Sequence, residues 1–91
     1  MVSNGKLPVL RNMILQQVKV MNLWTATEGT EYRIRAIVTD DEELEAFLFS
    51  LGCYGGEGIT VVSRRRSGCT VAIKDGRYNI DKLLAQAIEV E

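Results

Sequence analysis

Apolar and polar positions repeat with different periods along the chain. Between Pro8 and Met21 two readings compete. Leu10, Ile14, Val18 and Met21 fit one face of a helix, while Ile14, Val18 and Val20, interleaved with Gln17 and Lys19, fit a strand nearly as well. The helix is taken as the reading. Met1–Lys6 are small and polar, so residues 1–20 read as a partly mobile extension and residues 21–91 as the domain. From Thr30 the signals sharpen. Tyr32, Ile34, Ala36 and Val38 alternate with Arg33 and Arg35, which predicts a half-buried strand. Asp40 to Glu43 then read as a helix start, with Asp40 as the cap and an acidic cluster at the positive end of the dipole. Leu44, Phe47, Leu48 and Leu51 form one helix face, and Gly52 ends the helix in a left-handed position.

The second half of the chain reads as short strands and tight turns. Ile59–Arg64 and Cys69–Lys74 are β-branched and alternating, with a turn at Arg65–Gly68 between them. Asp75-Gly76 predicts a type I′ hairpin, returning through Arg77–Ile80. Asp81 caps a short helical turn to about Leu84, and Ala87–Val90 is a last strand. Five short strands expose two long edges if left flat, and closure into a small barrel removes both. The predicted fold is therefore all-β: an SH3-like barrel of about five strands. One α-helix is inserted after the first strand and covers an open end, and a short helical turn precedes the last strand.

Composition narrows the chemistry. The chain has 91 residues, 46% of them hydrophobic and 25% charged, which is one soluble domain of ordinary small size. Its net charge of −1 lacks the basic excess of a general nucleic-acid binder. There is no histidine, which excludes Ser-His and Cys-His catalysis and removes the commonest metal ligand. No cofactor or metal site is read, and the chain reads as non-catalytic. Cys53 and Cys69 are too few for a disulfide scaffold and read as reduced thiols of a cytoplasmic protein, with a disulfide left open by their spacing. No signal peptide and no membrane-spanning stretch is apparent.

The order of these signals resembles a known family. Asn22-Leu23 leads to the Glu28-Gly29-Thr30 turn, and the first strand runs into Asp41-Glu42-Glu43-Leu44. The helix ends in Leu51-Gly52-Cys53-Tyr54-Gly55-Gly56, a β-branched strand and an arginine-containing loop follow, and a strand-Gly-strand hairpin leads to Ala87–Val90. From Met21 to Glu91 the chain is similar to the FeoA family, small SH3-like cytoplasmic proteins that accompany the ferrous-iron transporter FeoB. The resemblance implies an accessory or regulatory protein of ferrous-iron transport that docks on the cytoplasmic part of a FeoB-type transporter. The competing reading is an SH3-like adaptor or nucleic-acid-binding module of a metal-responsive regulator.

Six residues are candidates for a partner-binding surface. Phe49 lies opposite the apolar helix stripe, where a large aromatic either anchors a partner or is covered by the N-terminal segment. Cys53 and Tyr54 follow in the turn, and Tyr54 either stands exposed or packs over the barrel mouth. Arg64, Arg65 and Arg66 sit at a hairpin tip, as a rim for an anionic partner or as a solvated loop. The carboxylates from Asp40 to Glu45 suit dipole complementation better than a cation site, because they lack the spacing of a calcium loop. Trp24 is expected to cover the barrel edge, and the apolar N-terminal arm is a candidate for self-association.

Overall fold

Alternation becomes burial most clearly in the strand Gly68–Ile73, where Cys69, Val71 and Ile73 are buried while Thr70 and Ala72 are half-buried on the other face. The computed structural model describes residues 21–91; the expected extension over 1–20, with its helix, lies outside them. In chain order the elements are β1 (Met21–Asn22), a 3-10 turn (Leu23–Thr25), β2 (Glu31–Ile37), α1 (Glu42–Ser50), β3 (Gly58–Arg64), β4 (Gly68–Ile73), β5 (Gly76–Asp81), α2 (Lys82–Ala87) and β6 (Ile88–Val90). The strands form one antiparallel sheet in the order β1-β6-β2-β3-β4-β5.

Two expectations about the barrel need correction. The described strands number six, because Met21–Asn22 pairs with Glu89 and Val90. Among the described residues the sheet is also not closed: β1 and β5 are its two edges and do not pair with each other. From Asn22 the chain leaves β1 directly into the 3-10 turn. Instead α2 touches both edge strands and the 3-10 turn. Leu23 from the turn and Ala85 from α2 are fully buried beside Val90 and Ile88 of β6. Burial by a short helix and a turn thus replaces a last row of hydrogen bonds.

Two irregularities steer side chains. A register shift between Ile34 and Ala36 bends β2, so the expected face breaks there. Ile34 is buried and Ile37 packs against the core, but Val38 is 56% exposed. The β4–β5 hairpin is displaced by one residue from the expected turn. Ile73 pairs with Gly76, so Lys74-Asp75 are the central pair, and Lys74 alone of that pair takes a positive φ, at 53°. Gly76 is a strand residue whose missing side chain makes room for the Tyr78 ring, the Tyr78 hydroxyl lying 2.5 Å from where a Cβ would stand.

α1 is capped by Asp41 rather than Asp40. The Asp41 carboxylate accepts from the backbone N–H groups of Glu43 (3.0 Å) and Leu44 (3.2 Å), and the Thr39 hydroxyl accepts from Asp41 N–H (3.0 Å). The helix ends as expected at Gly52, with φ +100°. Cys53 N–H donates to the Leu48 carbonyl and Gly52 N–H to that of Phe49, each at 3.0 Å, the paired bonds of a Schellman motif. Of the expected apolar stripe, Leu48 is fully buried and Leu44 and Leu51 are partly so, but Phe47 stays 48% exposed. α2 starts where expected, with the Asp81 carboxylate accepting from Leu84 N–H at 2.8 Å, and runs three residues further than Leu84.

Candidate functional site

The Schellman turn sets the geometry around Phe49. It drives Cys53 inward and carries Tyr54 back alongside the helix, leaving Phe49 61% exposed. The two rings pack with centroids 4.8 Å apart and planes tilted by 46°, within the separation at which aromatic pairs attract. Lys74 reaches the same place from the β4–β5 turn. Its ammonium lies 5.2 Å from the Tyr54 ring centroid and 3.2 Å from a Glu57 carboxylate oxygen. The Glu57 carboxylate first, and then Tyr54, raise the Lys74 pKa, so the ammonium is charged at any physiological pH. A Cβ on Gly52 would stand 3.2 Å from the Lys74 stem, so the residue that ends α1 also leaves room for this lysine. Helix end and hairpin turn are thereby joined in a small exposed patch of two aromatics and one ion pair.

Cys53 does not belong to that patch. It is 1% exposed and packs in the core with Leu48 and Ile59, which removes it from any docking surface. Its thiol is pushed up to about 11 by desolvation, and Cys69, also buried, is shifted upward for the same reason. Both thiols are free.

The three arginines separate rather than forming one basic run. Arg64 ends β3 and turns back onto the body of the protein. Its guanidinium donates to the Ala26 carbonyl and lies 5.7 Å from the Trp24 ring centroid, while its backbone N–H donates to the Glu28 carboxylate at 2.6 Å. Lys82 approaches the same ring at 5.5 Å, so Trp24 lies against two cations, as a part-buried cover of the core. Arg65 extends along β4 and β5, donating to the Thr70 hydroxyl (3.2 Å) and the Asn79 amide oxygen (3.5 Å). Arg66 is exposed, with no hydrogen bond or ion pair among the described residues. These arginines stand at the β3–β4 turn and Lys74 at the β4–β5 turn, so the length of β4 separates them from Phe49 and Tyr54. Six residues of strand are about 20 Å, and the arginines therefore cannot rim the aromatic pair.

One feature of the surface was missed by sequence reasoning. Glu31, Tyr32, Arg33, Gly58 and Glu91 line a groove of about 290 Å³. The Glu31 carboxylate occupies the space a Cβ on Gly58 would need, and Arg33 donates to the Gly56 carbonyl at 2.9 Å. The Tyr32 hydroxyl accepts from Thr27 N–H at 3.0 Å, which lowers its pKa. A glycine inside the strand Gly58–Arg64 was the available signal, since such glycines often mark a close approach. Among the described residues no three His, Cys, Asp or Glu side chains converge as metal ligands, and no helix is long and apolar enough to cross a membrane.

Comparison with known proteins decides the family. The FeoA domain matches residues 21–91. The chain belongs to the FeoA family. No curated protein matches the chain. Among solved structures, an iron uptake regulatory protein (FeoA) superposes with a TM-score of 0.71 at 22% identity, over 80% of this chain and 97% of that one. Stenotrophomonas maltophilia FeoA complexed with zinc, described as a prokaryotic SH3 domain protein, gives 0.71 at 17% identity, over 78% of this chain and 89% of that one. A manganese-dependent transcriptional repressor gives 0.72 at 25% identity, covering 78% of this chain but only 40% of the repressor. The FeoA chain thus spans about two fifths of that repressor's length. The fold is SH3-like, as expected, with the sheet left open rather than closed.

Proposed function

We propose that this FeoA-family chain is a non-catalytic regulator of ferrous-iron transport that acts in the cytoplasm by docking on the soluble part of a FeoB-type transporter. The family match and the solved FeoA described as an iron uptake regulatory protein support the process. The observation that carries the docking mode is the exposed Phe49 ring held against Tyr54 and flanked by the Lys74–Glu57 pair. An aromatic anchor with a fixed rotamer loses little entropy on binding, and a surrounding ion pair orients the partner. Arg65 and Arg66 form a second, separate contact toward an acidic surface. A regulator of this kind shifts its partner only by binding two of the partner's states unequally.

The test is a pull-down or titration against the isolated cytoplasmic domain of such a transporter. Phe49→Ala and Tyr54→Ala are each expected to weaken binding about tenfold or more, as losses of more than about 1.4 kcal/mol at anchor residues do. Unchanged binding by both variants removes this surface. The second reading, a module of a metal-responsive regulator, draws on the 25% identity to the manganese-dependent repressor. A gel shift with a salt slope of several phosphates would favour it over the first.

A further inference from the structure

Among the described residues, strand β5 leaves one edge of the sheet unpaired. On its inner side it pairs with β4 along its whole length, from Gly76 against Ile73 to Asp81 against Gly68. A two-residue hairpin makes the first of these a hydrogen-bonded pair, and antiparallel ladders alternate from there. The Lys82 N–H donating to the Ser67 carbonyl at 2.9 Å continues the same phase, so even-numbered positions bond inward. The backbone groups of Arg77, Asn79 and Asp81 therefore face away from β4, they make no hydrogen bond to another strand among the described residues, and all three residues are exposed. The segment contains no proline and no bulge, the usual devices that blunt a free edge.

We propose that this edge pairs with β5 of a second copy of the chain, antiparallel about a twofold axis through Asn79. An isologous contact must match its own sequence, and this register does. It sets Asn79 against Asn79 of the second copy, Arg77 against Asp81 twice, and Tyr78 against Ile80 twice. All the facing odd-numbered positions are hydrogen-bonded pairs in this phase. Asn79 exchanges two backbone bonds across the axis, and each Asp81 N–H donates to the Arg77 carbonyl of the other copy. The two opposite charges stand directly across from each other, the arrangement that favours cross-strand pairs. Shifting the axis by two residues toward the hairpin sets Arg77 against Arg77, and shifting it two residues the other way sets Asp81 against Asp81. A shift of one residue sets Asp81 against Asp75 in one direction and leaves Arg77 opposite Leu83 in the other, so only the central register pairs opposite charges twice. Leu83, 71% exposed two residues beyond the strand, adds apolar surface at each end of the contact.

The test uses the full chain in sedimentation velocity across a concentration series, with amide exchange read at Asn79 and Asp81. The expected result is a concentration-dependent dimer in which protection of these two amides rises with dimer fraction. Asn79→Pro removes an N–H that β4 does not use, and is expected to give a monomer with unchanged far-UV circular dichroism. Arg77→Glu places like charges across the axis and is expected to weaken dimerisation about tenfold, while Arg77→Lys retains most of it. A chain that stays monomeric at its highest soluble concentration overturns the proposal. So does a dimer that tolerates both Asn79→Pro and Arg77→Glu. Protection of Asn79 and Asp81 in the monomer at every dilution overturns it as well, since the edge would then be covered within one chain. Should Asn79→Pro fail to fold, the Arg77→Glu and Arg77→Lys comparison decides alone.

Discussion

Single residues show how narrowly the packing is set. A Cβ on Gly68 would collide with the Ile80 carbonyl of the neighbouring strand, and backbone cannot yield as a side-chain tip can. Gly68→Ala is expected to cost about 1–3 kcal/mol, as overpacking usually does. In a domain of this size each kcal/mol is worth roughly 4–8 °C, read in a thermal melt. Cys53 offers a second test. Burial raises its folded-state pKa to about 11, above that of the unfolded chain, so folding favours the protonated thiol. Its contribution is complete below the unfolded value and is lost as pH rises toward 11. Chemical denaturation should therefore show stability falling by up to about 2 kcal/mol from pH 9 to 11, since each pKa unit is about 1.4 kcal/mol. Cys53→Ala should flatten that slope even though its cavity lowers stability at pH 7. The sequence placed Phe49 off the buried face of α1 because a helical wheel is local geometry. It did not show the burial of Cys53, since the direction taken by the residue after a Schellman glycine depends on what the turn packs against.

At the scale of elements, caps and hairpins decide where the chain turns. Two adjacent aspartates both suit the start of α1, and only Asp41 has its carboxylate over the free N–H groups of the first turn. Asp41→Ala is expected to cost about 1 kcal/mol, and Asp40→Ala little, as compared by denaturant midpoints. The difference was hidden in the sequence because the Thr39 hydroxyl, which accepts from Asp41 N–H, settles the phase of the entry. The β4–β5 hairpin slipped by one residue for a related reason. Asp75-Gly76 has the composition of a type I′ turn, but Tyr78 needs the space over Gly76, and the left-handed position passes to Lys74. That displacement is what brings Lys74 to Tyr54 and Glu57. α1 itself is held lightly, with Leu48 its one fully buried residue. Its amides are expected to exchange through local opening, well before those of β4, in native-state hydrogen exchange.

For the whole molecule, the open sheet matters most. Among the described residues the outer edge of β5 has no strand partner, which a closed barrel would not leave. The two ends of β4 carry different chemistry, an aromatic patch at one and arginines at the other, so a partner that engages both must span the strand. Much of this protein was written in local order: the strand alternation, the Asp81 cap, the helix end and the succession that marks the FeoA family. These are contacts between residues a few positions apart, where spacing alone dictates geometry. The tertiary structure alone decided that β1 and β5 do not pair, that Arg64 folds onto Trp24 while Arg65 reaches Asn79, and that Glu31 meets Gly58 in a groove. Each of these joins residues distant in the chain, and their meeting depends on bulges and strand lengths that shift a side chain by a whole position without leaving a periodic trace in the sequence.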